Sequence, residues 1–249
     1  DIQHGIPDMG ISSVRAGTYA DCKDCDLIII TAGRNRKPGE TRLDLIAGNS
    51  AILKNVVDQM KPHYTKGVIM IVSNPVDVLV YQCTKWMGLP NGMVFGTGCI
   101  LDSSRFTRLI ADYTRLNTEV VKATIVGEHG DAQIPIWSRV SIAGVPIQEY
   151  CENVGLRWGE NIRKDISDKV REMGATIIKG KGRTHYGIAT CVCYLAEAVL
   201  NQRLTIAPVS TMFQGEYGIE DVCLSVPSII GVNGVEKRLE ERWAEEEIL

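Results

Sequence analysis

The sequence lacks any apolar run close to the ~20 residues that a membrane-spanning helix requires. Its longest apolar stretches, such as GVIMIVS, have the length of buried strands. It also lacks an excess of positive charge, because 27 basic and 30 acidic residues give a net charge of -3. We therefore expect no membrane span, and neither nucleic acid nor an anionic membrane as a partner.

The cysteine pattern lacks the spacing of a metal site. Cys22 and Cys25 form one C-x-x-C pair, but there is no second pair and no histidine nearby. A chain of 249 residues, 45% of them hydrophobic, can build a core without disulfide staples. We expect eight reduced thiols, no bound metal and a cytoplasmic protein.

Both ends of the chain lack the usual terminal features. The sequence starts DIQHGIPD without an initiator methionine, and it closes on a charged helical pattern, VEKRLEERWAEEEIL, without a C-cap residue. These features predict a fragment of a longer protein.

The first part of the chain predicts a parallel sheet. The runs LIIITA (27–32) and VIMIVS (68–73) are continuously apolar, which is typical of strands buried on both faces. Between them, residues 43–60 place apolar side chains at helical spacing. Strand, helix and strand form a βαβ unit, so we predict a partial doubly wound α/β domain over residues 1–98.

The remainder of the chain predicts a second, mixed α+β domain over residues 99–249. Helical patterns cover residues 101–116, 161–178 and 186–200, after an earlier helix over 76–87. Residues 205–235 consist of short extended runs separated by glycine and asparagine, as in an antiparallel sheet.

Candidate chemical groups follow the predicted strands, where an open parallel sheet binds its ligands. The loop RNRKPGETR (34–42) carries four cations and one acid, which indicates an anion-binding loop. The segment SNPVD places Asn74 and Asp77 just after the second predicted strand. Asn-Pro can equally be a simple turn opener. GEHGD places His129 between glycines, where it could exchange protons or only cap a turn.

An imidazole that works as an acid and base needs a carboxylate to orient it. LDSSR offers Asp102, with Arg105 three residues later on the same helical face. A surface ion pair is the alternative interpretation of these two residues.

Together these motifs resemble the L-lactate/malate dehydrogenase family over nearly the whole chain. The matching segments are DIQHG, ITAG, RKPGETRLDL, SNPVD, VFGTGCILDSSRF, GEHGD, IPIWS and KGRTHYGIA. The resemblance implies a Rossmann-type dinucleotide domain, NAD as cofactor, a small 2-oxo or 2-hydroxy acid as substrate and a homo-oligomer, either a dimer or a tetramer.

The resemblance also implies roles for individual residues. His129 would exchange a proton with the substrate, and Asp102 would orient the His129 imidazole. Arg42 would lie on a lid that closes over the substrate and would polarise the substrate carbonyl. Arg105 would grip the substrate carboxylate. The remaining implied substrate-binding residues are Arg36, Asn74 and Thr184. The implied cofactor-contacting residues are Tyr19, Gly33, Asn55, Val72, Ser73, Asn74 and Thr97.

Three departures from the family pattern bear on function. The G-x-G-x-x-G turn that holds the pyrophosphate, which normally precedes DIQHG in the family, is absent from this sequence. Arg36 stands where lactate enzymes usually carry glutamine and malate enzymes carry arginine. Thr107 and Lys122 replace the arginine and histidine through which many bacterial members respond to fructose 1,6-bisphosphate, so we predict no such activation.

Other positions resemble the lactate branch, namely Glu40, Ser103, Ser104, Glu128 and Thr184. We therefore expect reduction of pyruvate to L-lactate and the reverse reaction. Two alternatives stay open: a malate dehydrogenase, because of Arg36, and a non-catalytic truncated form.

Overall fold

The computed structural model describes residues 13–35 and 42–247, together with residues 3, 4 and 6. The side chain of Arg42 lies outside this description, as do residues 36–41. The first half contains three parallel strands that are neighbours in one sheet. These strands and the helices that follow the first two are β1 Leu27–Ile30, α1 Arg42–Met60, β2 Val68–Ile71, α2 Val76–Met87 and β3 Val94–Gly96.

Strand β2 is buried on both faces, as its continuous apolar run predicts. Ile69 and Ile71 pack in the core formed with α1 and α2, whereas Val68 and Met70 pack in a separate core on the opposite face. Because alternate side chains of a strand point to opposite faces, four consecutive apolar residues are required here.

Strand β1 departs from that prediction. It is the end strand of the sheet among the described residues, and the side chain of Ile29 is 40% exposed. Ile30, the next residue, is buried in the core beside α1. An edge strand with one uncovered face cannot bury every residue of an apolar run, so this run is only partly buried.

The second half extends the same sheet with antiparallel strands. The elements are α3 Ile100–Thr114, β4 Val121–Lys122, β5 Ile125–Gly127, β6 Gln133–Pro135, β7 Ser141–Ile142, β8 Val145–Pro146, α4 Ile147–Asn153, α5 Glu160–Lys181, α6 Tyr186–Leu200, β9 Thr205–Gln214, β10 Glu220–Gly231 and β11 Gly234–Arg238. The strand order is β1-β2-β3-β9-β10-β5-β6, with β11 paired to β10, and β4, β7 and β8 form a small separate sheet.

One row of paired residues crosses four strands and joins the two halves of the chain. Gly96 of β3 pairs with Ser210 of β9, Ser210 pairs with Ser225 of β10, and Ser225 pairs with Gly127 of β5. The segments that follow β3 and β5 therefore start from the same level of the sheet.

Close packing brings α2 onto this row. A Cβ atom added to Gly96 would lie 2.5 Å from Cγ2 of Val76 and 2.6 Å from Cγ2 of Val80, so only glycine allows this approach. The first turn of α2 is thereby held close to the end of β3.

The helical prediction for residues 235–249 is wrong over the residues that the structure describes, of which only Glu245–Glu247 form a short 3-10 helix. Residues Gly234–Arg238 form strand β11, because Val235 is buried against the sheet and pairs with Ile230. Burial of one apolar side chain in an existing sheet outweighs the helical preference of the charged residues around it. Among the described residues, no helix is both long and apolar enough to cross a bilayer.

Candidate active site

The centre of the site is a hydrogen-bonded pair, His129 and Asp102. His129 follows β5, Asp102 lies in the first turn of α3, and the imidazole Nδ1 is 2.6 Å from the carboxylate Oδ2. The Asp102 side chain is 4% exposed and the His129 side chain 25% exposed. Since Nδ1 is occupied by the carboxylate, Nε2 is the ring nitrogen left for proton exchange.

Arg105 lies on the same face of α3 as Asp102. Its Nη1 donates to Asp102 Oδ1 over 3.1 Å, and the two side chains are 12% and 4% exposed. The alternative of a surface ion pair is therefore wrong. A half-buried guanidinium beside a histidine, with donors that Asp102 does not use, can bind a carboxylate ligand.

The backbone of His129 is held by another carboxylate. Asp77, in the first turn of α2, accepts the His129 N–H at Oδ2 over 2.8 Å. Its Oδ1 accepts the hydroxyl of Ser210 over 2.6 Å. The sequence drew attention to Asp77 only as a polar residue after a strand, and nothing in it pointed to Ser210.

Two further contacts fix α3 against the strand that leads to His129. The Ser103 hydroxyl accepts the N–H of Ile125 over 2.9 Å and lies 3.3 Å from the same residue's carbonyl. The Cys99 thiol lies 3.8 Å from the carbonyl of Gly127 and 3.7 Å from that of Glu128. Burial raises the pKa of the Cys99 thiol well above its usual value, so the group is a neutral donor.

The pKa of His129 is raised above its ordinary value by opposing causes. Burial alone lowers it, but the hydrogen bond and charge of Asp102, with the charge of Asp77, outweigh burial and the repulsion from Arg105. For Asp77, burial raises the pKa against the hydrogen bonds from Ser210 and His129. Compared with an ordinary histidine, His129 is therefore more readily protonated.

The carboxyl ends of the parallel strands form the second part of the site. Ser73 donates its hydroxyl to the carbonyl of Ala32 over 2.6 Å. Asn49 of α1 donates to the carbonyls of Asn74, at 2.6 Å, and Arg34, at 3.2 Å. Asn49 is 2% exposed. This link was missed because Asn49 lies within an ordinary helical pattern.

The remaining predicted residues lie in several different elements. Val72 and Ser73 follow β2, and the Thr97 N–H bonds to the Ile71 carbonyl over 3.0 Å just after β3. Tyr19 is half-buried near α1, Asn55 is exposed on α1, and Thr184 is exposed just before α6.

The structure thus joins some of the predicted residues but not all. Hydrogen bonds connect His129, Asp102 and Arg105 directly, and Asn74 is joined to the loop after Gly33 through Asn49. No hydrogen bond within the described ranges links Tyr19, Asn55 or Thr184 to His129. Arg36 and the side chain of Arg42 lie outside those ranges.

Comparison with known proteins identifies the chain. A family model described as the NAD binding domain of lactate/malate dehydrogenase matches residues 1–96, and one described as the alpha/beta C-terminal domain matches residues 99–247. The chain belongs to the lactate/malate dehydrogenase family. It is an NAD-dependent oxidoreductase that acts on a hydroxy acid.

Individual members of the family cover the whole chain. The L-lactate dehydrogenase of Acetivibrio thermocellus is 38% identical over 248 residues, which are 100% of this chain and 78% of the relative. That of Thermoanaerobacterium saccharolyticum is 42% identical over 248 residues and 80% of its length. The solved ligand-bound form of the minor L-lactate dehydrogenase of Enterococcus mundtii, 38% identical, matches 99% of this chain and 79% of its own, with a TM-score of 0.94.

The residues present fit the nicotinamide end of the family's cofactor. Gly33 lies close to Ser73, because an added Cβ would be 3.2 Å from the Cβ of Ser73, which is a tight contact. Asn74 is exposed at the same edge, three residues before the aspartate that holds His129. Polar backbone and amide groups at the ends of parallel strands are suited to a nicotinamide carboxamide and ribose.

Proposed function

We propose that the protein reduces pyruvate to L-lactate with NADH and catalyses the reverse reaction. The observation that carries this proposal is the hydrogen-bonded group of His129, Asp102 and Arg105, which surrounds a buried carboxylate with a half-buried proton donor and a half-buried cation that can bind a carboxylate. The names of the relatives above, L-lactate dehydrogenase, give independent support.

Bound NAD supplies or accepts the hydride, and the protein supplies the remaining functions. His129 donates a proton from Nε2 to the carbonyl oxygen of the oxo acid and takes it back when the hydroxy acid is oxidised. Asp102 fixes the Nδ1 tautomer and stabilises the imidazolium. Arg105 holds the substrate carboxylate with the guanidinium donors that Asp102 does not use.

We extend the proposal to the other predicted residues. Arg42 polarises the substrate carbonyl, Asn74 contacts both substrate and nicotinamide, and Thr184 lines the substrate pocket. The cofactor is contacted by Tyr19, Gly33, Asn55, Val72, Ser73, Asn74 and Thr97. In this scheme residues 1–98 form the partial dinucleotide-binding domain, which also supplies Arg42 and Asn74 to the substrate, and residues 99–249 form the catalytic domain.

Assembly and location complete the proposal. Large apolar side chains are exposed on α6 and the start of β9, which supports a homo-oligomer that light scattering would test. They include Tyr186, Tyr194, Leu200, Leu204 and Ile206.

All eight cysteines are free thiols, which supports a reducing compartment such as the cytoplasm, testable by cell fractionation. No activation by fructose 1,6-bisphosphate is expected, because Thr107 and Lys122 are not the family's phosphate-binding pair.

The lactate and malate alternatives are separated by a direct comparison of substrates. We expect NADH oxidation by the full-length protein to show a higher kcat/KM with pyruvate than with oxaloacetate. The opposite order would make the protein a malate dehydrogenase, as Arg36 favours. Activity with neither substrate would support the non-catalytic form.

Arg36→Gln tests the contribution of that cation. An arginine that binds the second carboxylate of oxaloacetate makes charge-assisted hydrogen bonds worth about 1.5–3 kcal/mol, or roughly 10- to 100-fold in kcat/KM. We expect this loss with oxaloacetate and little change with pyruvate. Arg203→Gln, in an exposed turn after α6, is the matched control and should change neither reaction.

The raised pKa of His129 predicts the pH dependence of both reactions. Pyruvate reduction needs the imidazolium, so its kcat/KM should be level at low pH and fall as pH rises through a value above that of free histidine. Lactate oxidation should show the opposite slope. Asp102→Asn should move the midpoint to lower pH, because it removes the hydrogen bond and charge that outweigh burial. Asp112→Asn, at an exposed pair on the same helix, should leave the midpoint unchanged.

A further inference from the structure

Asp77 connects three separate parts of the chain, namely α2, the loop that carries His129 and strand β9. Its side chain starts from the first turn of α2, one oxygen accepts the backbone N–H of His129, and the other accepts the hydroxyl of Ser210 on β9. Both oxygens accept, which is the pattern of an ionised carboxylate.

Helix capping alone does not explain the hydrogen bonds of Asp77. A carboxylate in the first turn of a helix is favoured by the helix dipole, and this alone could explain an aspartate after Asn-Pro. Both oxygens of Asp77, however, bond to groups outside α2, over 2.8 Å and 2.6 Å. The carboxylate is therefore directed at the histidine loop and at β9.

The surroundings make this arrangement rigid. Ser210 belongs to the row of paired residues that joins β3 to β5, and the Cβ position of Gly98 would lie 2.5 Å from the Ser210 backbone nitrogen. The Ser210 side chain is fully buried. A carboxylate that is hydrogen-bonded to such a residue has little freedom to move. The His129 N–H that it binds is therefore also held in place.

We propose that Asp77 is a positioning residue for His129. By fixing the backbone of His129 against Ser210, it keeps the imidazole Nδ1 on Asp102 and directs Nε2 towards the substrate carbonyl. The inference rests on the proposed function, since it concerns how the same histidine is held for proton transfer.

The charged groups around the imidazole define what else Asp77 can do. The pKa of His129 is influenced by Asp102 and Arg105 of α3 and by Asp77 of α2. The pKa of Asp77 is in turn raised by the charge of Glu128, the neighbour of His129 in the loop. Asp102 faces the ring directly and Asp77 faces the backbone. Loss of the Asp77 charge should therefore produce a smaller change in the titration of the ring than loss of Asp102.

Four variants of the full-length protein separate geometry from charge. Asp77→Ala removes both the acceptor and the charge. Asp77→Asn removes the charge but keeps an amide oxygen for the His129 N–H, because the Ser210 hydroxyl can rotate to accept from the new NH₂ group. Ser210→Ala removes only the anchor. Ser228→Ala, a buried serine of the same sheet bonded to Val226, is the control.

We expect Asp77→Ala to lower kcat for pyruvate about 10²-fold, the usual cost of a misplaced reactive group, with little change in KM. Ser210→Ala should lower kcat roughly 3- to 10-fold, which corresponds to one net hydrogen bond. Asp77→Asn should recover most of the activity and should shift the pH profile slightly to lower pH. Ser228→Ala should match the wild type in kcat.

Thermal melts and an NMR titration of the His129 ring accompany the kinetics. A purely structural role would lower the melting temperature of Asp77→Ala, leave the kcat of the folded enzyme unchanged, and give Asp77→Ala and Asp77→Asn the same ring titration, because both lose the charge; this result would overturn the inference. If Asp77→Ala does not fold, equal kcat values for wild type and Ser210→Ala would overturn it instead. If the wild type reduces neither oxo acid, the proposed function fails, and the ring titration still decides the role of Asp77.

Discussion

His129→Gln is expected to lower kcat for pyruvate reduction by about 10³-fold, within the range attributed to one general acid. Glutamine can still donate a hydrogen bond to Asp102 through its amide, so the local packing is retained. It cannot transfer a proton at neutral pH. Because Arg105 is untouched, KM for pyruvate should change little, and steady-state NADH oxidation would measure both constants.

The control for this variant is His63→Gln. His63 is exposed in the turn after α1 and precedes β2, whereas Ser73 and Asn74 follow β2 at its other end. It should leave kcat unchanged. A His129→Gln enzyme with kcat within tenfold of the wild type would show that another group donates the proton, and the proposed mechanism would then be wrong.

Arg105→Lys should raise KM for pyruvate by roughly 10²-fold, equivalent to about 2–3 kcal/mol of lost charge-assisted hydrogen bonding. A guanidinium can bind Asp102 with one nitrogen and a substrate carboxylate with others. An ammonium group is a single point charge and cannot hold both in a fixed geometry. The effect should therefore appear although the formal charge is conserved.

Arg108→Lys provides a close comparison on the same helix. Arg108 pairs with Asp112 four residues later, and both side chains are mostly exposed, so that replacement should change KM by less than about twofold. Titration of the two variants with pyruvate measures the difference. Similar KM values for both would mean that the substrate carboxylate is bound elsewhere.

The regular elements were largely predictable because their patterns are local. The helix over 76–87 was predicted to the residue, and helices 43–60, 161–178 and 186–200 were correct within a few residues. Each depends on apolar spacing and on end signals that the sequence carries directly. The antiparallel strands over residues 205–235 were also expected, although their order in the sheet was not.

The errors occurred where the tertiary environment decides. The charged residues of β11 favour a helix by themselves, but Val235 and a free sheet edge make them a strand. Ile29 belongs to an apolar run that would be fully buried in a central strand. Neither outcome depends on the local sequence alone.

The residues that hold the site were the least predictable part. Asp77, Ser210 and Asn49 reach their partners across separations of 52, 133 and 25 residues. No spacing rule connects positions so far apart. His129, Asp102 and Arg105 were singled out by residue type and position, and the family resemblance implied their roles, whereas their direct contact became visible only in the folded chain.

The row from Gly96 through Ser210 and Ser225 to Gly127 has a consequence for how the protein can be divided. Matches to two family models meet between residues 96 and 99, which suggests a place to cut. Yet Leu79 and Val80 share one core with Met212 and Cys223. If the pieces before and after residues 97–98 were expressed separately, each would expose that apolar surface and a strand edge to water. We therefore expect neither piece to be stable as a monomer.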